Sequence, residues 1–189
     1  QLVFEWREIA PGIWLIANGV PSDFDAQLLA CINDAPGDSA ERLANYLQDA
    51  PGHFSVVIDR EDWQLALAGR HQLFPVFFAP QHERLVFATD AQLLDQPLAS
   101  DYKAFWFAQA GFVPGRETLQ DEVFQLHAGE LVWSQTGSDA VNFDFYFHHW
   151  HRTGDHWKSS SASDELREIC LNIGRYMIAQ ADGSPIALS

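Results

Sequence analysis

Few residues in this chain have types and spacings that suggest chemistry. The two cysteines, Cys31 and Cys170, stand far apart on stretches that read as helices, with no C-x-x-C between them. Histidines crowd one short region: His148, His149, His151 and His156. On a strand, His149 and His151 would share a face as a metal pair while His148 faces the other way. No nearby cysteine completes that set, and histidines of a partly exposed linker are the plainer reading. The acidic pairs Glu61-Asp62 and Asp121-Glu122 read as solvated turns. There is no G-x-S-x-G, no Walker A loop and no G-x-G-x-x-G. Asn18-Gly19, closing an apolar run, is by itself a turn-forming dipeptide.

The elements that position these residues follow from periodicity. Leu2 to Trp6 alternates and Ile13 to Ala17 is a continuous apolar run, with Pro11-Gly12 between them: a strand, a turn and a buried strand. Ser22 with Asp25 has capping-box spacing for a helix lined by Phe24, Leu28, Cys31 and Ile32. Asp34 to Gly37 breaks it. A second helix starts at Asp38 or Ser39 with Leu43, Tyr46 and Leu47 inward, and stops before Pro51-Gly52. His53–Asp59 and Trp63–Ala68 read as strands joined by polar residues. A hairpin follows, Leu73–Ala79 and Leu85–Ala88, with Pro80 to Glu83 as its connection and Pro75 at a strand start or edge. Asp90 opens a short helix through Leu94. Asp101–Ala110 is a helix closed at Gly111, and Val123 to Trp133 is a further apolar run after a turn-rich loop. Thr153 to Ser163 has linker composition. Ser161 with Asp164 then caps a helix striped by Leu166, Ile169, Cys170, Ile173 and Met177, and Pro185 to Ser189 begins a buried strand.

Composition bounds the rest. In 189 residues, 11 Lys and Arg stand against 26 Asp and Glu, a net charge of −15, which argues against a nucleic-acid groove. A hydrophobic content of 47% fits a packed core. No stretch approaches the ~20 apolar residues that span a bilayer, and the charged start lacks a secretory core. With two unpaired-looking cysteines, the expectation is a cytoplasmic protein away from membranes.

The stretch Arg70 to Ala79, a polar turn, then Arg84 to Leu94 is similar to a segment of the asparagine-synthetase family, A-R-D-R-x-G-x-x-P-L-Y-Y followed by L-x-F-A-S-E-x-K-A-L. Arg70, Pro75, Phe77, Phe78, Leu85, Phe87, Ala88, Thr89, Asp90 and Leu94 fall on matching or conservatively changed positions. Gly111 to Leu119 resembles G-Y-V-P-G-x-x-T-L, Gly52 to Ser55 resembles a G-x-F-A strand, and Asn18-Gly19 resembles an N-G-E strand end, all in the family's order. The resemblance implies an α+β fold, an N-terminal-nucleophile-hydrolase-like αββα sandwich of two antiparallel sheets. The first helix and strand of an α/β ATP-binding synthetase domain would follow. The implied boundaries are 1–152 for the glutaminase-like domain, 153–163 for the linker and 164–189 for the start of the synthetase domain.

In that family an N-terminal cysteine attacks the amide carbon of glutamine, and an Asn-Gly pair stabilises the oxyanion. Residue 1 here is glutamine, and neither cysteine carries a free α-amine. What the resemblance leaves is a relic oxyanion and glutamine site of Asn18, Gly19, Glu41 and Arg70, without a catalytic residue. Ser39 replaces the acidic residue that would hold the substrate α-amine; Gly69, Gln72 and Phe74 replace Asp, Gly and Lys. Members lacking the cysteine include β-lactam synthetases and lasso-peptide cyclases, and the chain leans to that branch. The implied activity is ATP-dependent amide formation on a small-molecule or peptide substrate, with ATP and Mg²⁺ in the full-length protein and none on this fragment. The implied partners are the chain's own C-terminal synthetase domain and a possible second copy. Two other readings stay open: a glutamine-hydrolysing asparagine synthetase whose true N-terminus is absent, and a non-catalytic peptide- or partner-binding module. Leu166 to Ser189 is expected to pack poorly without a synthetase sheet.

Overall fold

A computed structural model of the chain describes residues 5–32, 35–98, 101–147 and 159–181. The chain divides into two units, Gln1–His148 and His149–Ser189. The first is mixed α+β with two antiparallel sheets. Strands β1 (Arg7–Ala10) and β2 (Ile13–Asn18) precede helices α1 (Phe24–Cys31) and α2 (Pro36–Leu47). Then come β3 (His53–Asp59), β4 (Trp63–Ala68), β5 (Phe77–Gln81), β6 (Arg84–Ala88) and a 3-10 turn over Ala91–Leu94. Helix α3 (Asp101–Ala110) leads to β7 (Phe124–Gln125), β8 (Glu130–Gln135) and β9 (Val141–Phe145). The large sheet runs β1-β2-β3-β4-β8-β9 and the small one β6-β5-β7.

Side-chain alternation assigns each face of the large sheet its own core. Leu15, Phe54, Val56, Ile58, Leu65, Leu67 and Leu131 pack with Phe24, Leu28, Leu43 and Leu47 of the two helices. Their neighbours on the opposite face, Ala66, Ala68 and Val132, pack with Val76, Phe78, Leu85 and Leu126 of the small sheet and its flanks. The small sheet's outer residue Ala79 is closed over by Leu94 of the 3-10 turn and by Val123. Asp90 accepts a hydrogen bond from the Gln92 amide at 3.0 Å and so caps that turn, as its position before the apolar pair suggests.

Several element boundaries differ from the sequence reading for identifiable reasons. The first strand is Arg7–Ala10, and Glu5-Trp6 are not part of it. Helix α1 has Asp23 at its N-cap without a side-chain bond, so Ser22 and Asp25 form no capping box; the Phe24 amide instead donates to the Pro21 carbonyl at 3.1 Å. Helix α2 starts at Pro36 itself, because proline at the first helical position has no amide to leave unpaired. The hairpin strand begins at Phe77, not Leu73, and continues through Pro80 to a two-residue turn, His82-Glu83, both at positive φ (48° and 62°). The apolar run from Val123 splits into β7 and β8 at Gly129. Val141–Phe145, overlapping the aromatic stretch assigned to a linker, is an edge strand paired with β8. In the second unit α4 (Ser159–Ala181) begins two residues before the expected Ser161 cap, since a first helical turn tolerates serine well. Leu166, Ile169 and Ile173 of its stripe are exposed. The strand expected over Pro185 to Ser189 and the His149–His151 pair lie outside the described residues.

One buried charge holds the loop before β7. Glu130 is 0% exposed. The Arg116 guanidinium donates to its Oε1 through Nε at 2.8 Å and also through a second nitrogen; the His127 amide donates to Oε2 at 2.9 Å. The same guanidinium lies 4.5 Å from the centroid of the Phe143 ring on β9. Removing one partner of such a pair strands the other charge in the core. Arg116→Ala is therefore expected to lower unfolding stability by about 3 kcal/mol, the low end for a buried pair because the arginine keeps some contact with water. Combining Arg116→Ala with Glu130→Leu should cost less than the single change. Urea unfolding of the three variants checks this.

Candidate functional site

Asn18, Gly19 and Arg70 converge at one end of the large sheet through backbone contacts. Asn18 ends β2 and pairs with His53, which opens β3. Just ahead of it, Gly52 (φ +92°) lies against the β2 exit: a Cβ there would sit 2.6 Å from the Gly19 carbonyl oxygen and 2.8 Å from that of Asn18. Only glycine permits both that φ and that approach. At the end of β4, Gly69 presses on β3 in the same way, with 2.4 Å between a hypothetical Cβ and the Phe54 carbonyl oxygen.

Arg70 follows immediately. Its guanidinium donates to the Ala50 carbonyl and lies 5.0 Å from the centroid of Phe147. Asn18, at the same end of the sheet, is exposed. The rings of His53 and His71 meet edge to face at 5.4 Å. His53 Nδ1 is buried with no hydrogen-bond partner among the described residues. Tyr146, just after β9, closes the group: its hydroxyl donates to the Ala68 carbonyl at 2.8 Å. Burial pushes this phenol well above the ordinary tyrosine range, and the nearby Arg70 charge offsets only part of that. Glu41 is exposed on α2. The sequence reading assigned none of His53, His71, Tyr146 and Phe147 a role at this site; the last two sit in the aromatic, histidine-rich stretch from Asn142 to Trp157, which the resemblance places at the variable linker between domains.

Chemically, this end offers an amide, a guanidinium and two imidazoles. Neither thiol is among these residues. Cys31 is on α1 and donates to the Gln27 carbonyl at 3.3 Å, and half-burial pushes its pKa up, with the Arg42 charge opposing. Cys170 is on α4. Among the described residues no three potential ligands group to hold a metal ion, and no helix is long and apolar enough to cross a membrane.

A groove of about 560 Å³ opens beside Trp14 and Asp59, at the ends of β2 and β3 opposite Asn18 and His53. Trp6, Val57, Leu85 and Phe87 also line it.

Tyr146 gives the site a pH signature. The unfolded phenol ionises near its ordinary value of about 10 while the folded one stays neutral to higher pH. Its contribution is therefore whole below pH ~10 and declines as pH rises through the raised folded value. Tyr146→Phe is expected to cost about 1 kcal/mol at pH 8 by unpairing the Ala68 carbonyl, and to show a shallower loss of stability between pH 9 and 11. Parallel urea titrations across that range test both.

No protein-family model matches the chain, and no curated protein matches it. Among solved structures it is similar to a glutamine phosphoribosylpyrophosphate (PRPP) amidotransferase from B. subtilis complexed with ADP and GMP. The two are 12% identical with a TM-score of 0.40, and the match covers 71% of this chain. It spans 29% of the amidotransferase, so this chain corresponds to less than a third of that protein's length.

Proposed function

We propose that this chain is the glutaminase-like domain of an ATP-dependent amide-forming ligase of the asparagine-synthetase type, one that does not itself hydrolyse glutamine. The observation that carries the second half is chemical: the described residues gathered at the sheet end with Asn18, Gly19 and Arg70 are His53, His71, Tyr146 and Phe147, and none of them is a thiol. An amide and a guanidinium suit the binding of a carboxylate or carbonyl oxygen. Without a thiolate there is nothing to attack the carbon, and the half-buried Cys31 thiol favours its protonated form. The first half is supported by the order of the sequence segments around Asn18, Gly52, Arg70 and Gly111.

Ligation in such a protein joins a carboxylate to ATP as an acyl-adenylate with loss of pyrophosphate; an amine then displaces AMP and gives up a proton. In this reading ATP and Mg²⁺ are assigned to the synthetase portion of the proposed protein. Residues 164–189 are assigned to the start of that portion and 153–163 to the linker before it. Relic binding at Asn18 and Arg70 would then position the domain or a substrate carboxylate.

The purified chain incubated with glutamine is expected to release no glutamate above a heat-killed control. Iodoacetamide should modify Cys31 more slowly than the exposed Cys170 at pH 7, the gap narrowing as pH rises. In the product of the complete gene, ATP and hydroxylamine should yield a hydroxamate together with AMP. Glutamate release that disappears on replacing one named residue would overturn the non-hydrolysing reading; a complete gene product that forms no adenylate would overturn the ligase.

A further inference from the structure

Among the described residues no strand pairs with the outer edge of β6, and what that edge offers can be read from the hairpin's hydrogen bonds. The His82-Glu83 turn makes Gln81 and Arg84 the hydrogen-bonded pair that closes the hairpin. Pairing then alternates, so Pro80 faces Leu85 and Phe78 faces Phe87 in non-hydrogen-bonded positions. Two observations agree with that phase. Pro80, which has no amide, occupies one of those positions, and the Leu85 amide turns outward to the Gln64 side-chain oxygen at 3.4 Å. Phe87 must therefore direct both its N–H and its C=O away from β5, toward the groove.

Three of the groove's polar side chains are engaged, while His82 and Thr89 line its exposed rim. Arg84 binds Asp59 at 2.7 Å and the Arg60 carbonyl at 2.9 Å, and Gln81 donates to the Leu94 carbonyl at 3.3 Å. What remains is a backbone edge above an apolar floor of Trp14 and Val57, with Trp14 40% exposed. A small polar molecule would find few fixed side-chain partners, whereas an added strand would find both its hydrogen bonds and its side-chain seats. A second copy of this chain fits poorly, since each copy brings a net charge of −15.

We propose that the free edge of β6 takes an extended, neutral or basic peptide segment with apolar side chains at alternate positions, paired at Phe87 as a fourth strand of the small sheet. Residues paired across a sheet point to the same face. Phe87 packs toward the large sheet, so the peptide residue opposite it places its side chain over Trp14 and Val57. This inference holds whether or not the protein is a ligase.

The probe is acetyl-Lys-Val-Thr-Val-Lys-amide, titrated into the isotopically labelled full chain and followed by amide and indole NMR signals. Saturable shifts are expected at the Phe87 amide and the Trp14 indole. N-methylation of both valines should weaken binding about tenfold or more, the loss expected when backbone pairing is removed. N-methylation of the threonine, whose nitrogen faces solvent, should leave binding within about twofold. Equal affinity of the two methylated peptides would reduce the effect to apolar adsorption and overturn the proposal. It would fall equally on finding no shift at Phe87 with millimolar peptide, on a Phe87 amide already protected by another part of the chain, or on protection that grows with protein concentration and so reports a second copy.

Discussion

Strand β4 is buried along its whole length, and the first unit is arranged to keep both of its faces dry. Trp63, Leu65 and Leu67 fill the helix side, where the two-helix layer leaves room for large side chains. Ala66 and Ala68 line the other side, where the small sheet approaches. Gln64 is the exception that proves consistent with the rule for buried polar groups. Its amide donates to the Arg60 carbonyl and the Thr136 hydroxyl, and its oxygen accepts from the Leu85 amide. A central strand so enclosed fixes the register of β3 and β8, because a one-residue slip would exchange the large and small faces.

That rigidity is what gives the sheet end its geometry. β2, β3 and β4 stop at nearly the same level, and the loops leaving them carry glycine where one backbone must lie on another. The Tyr146 hydroxyl and the Arg70 guanidinium then tie these loops to the Ala68 carbonyl at the end of β4 and to the Ala50 carbonyl ahead of β3. A constellation held mainly by main-chain contacts keeps its shape even when its side chains change.

The elements most legible from sequence were those whose apolar runs end at unmistakable punctuation: β3 after Gly52, β4 after Arg60 to Asp62, α3 before Gly111. The hairpin was misjudged because proline reads as a break, while Pro80 falls where the ladder asks for no amide. β9 was missed because its burial comes from single contacts, such as Phe143 on Phe78, and not from a run. At the site, Asn18 and Arg70 attract notice by type and by resemblance. The contact of Gly52 with Gly19, and that of Glu130 with Arg116, link positions with no shared periodicity. Nothing short of the folded backbone announces them.

The small sheet also has a direction of growth. On its far side β7 is only two residues long, and Arg116 and Glu117 already bond along it. Beyond β7, Pro80 offers no donor to a newcomer. Among the described residues, extension of this sheet is therefore open at β6 and closed at β7. With one open edge among its described strands, this sheet lacks the two opposed edges that copies of the chain would need to stack as the repeating contact of a fibre.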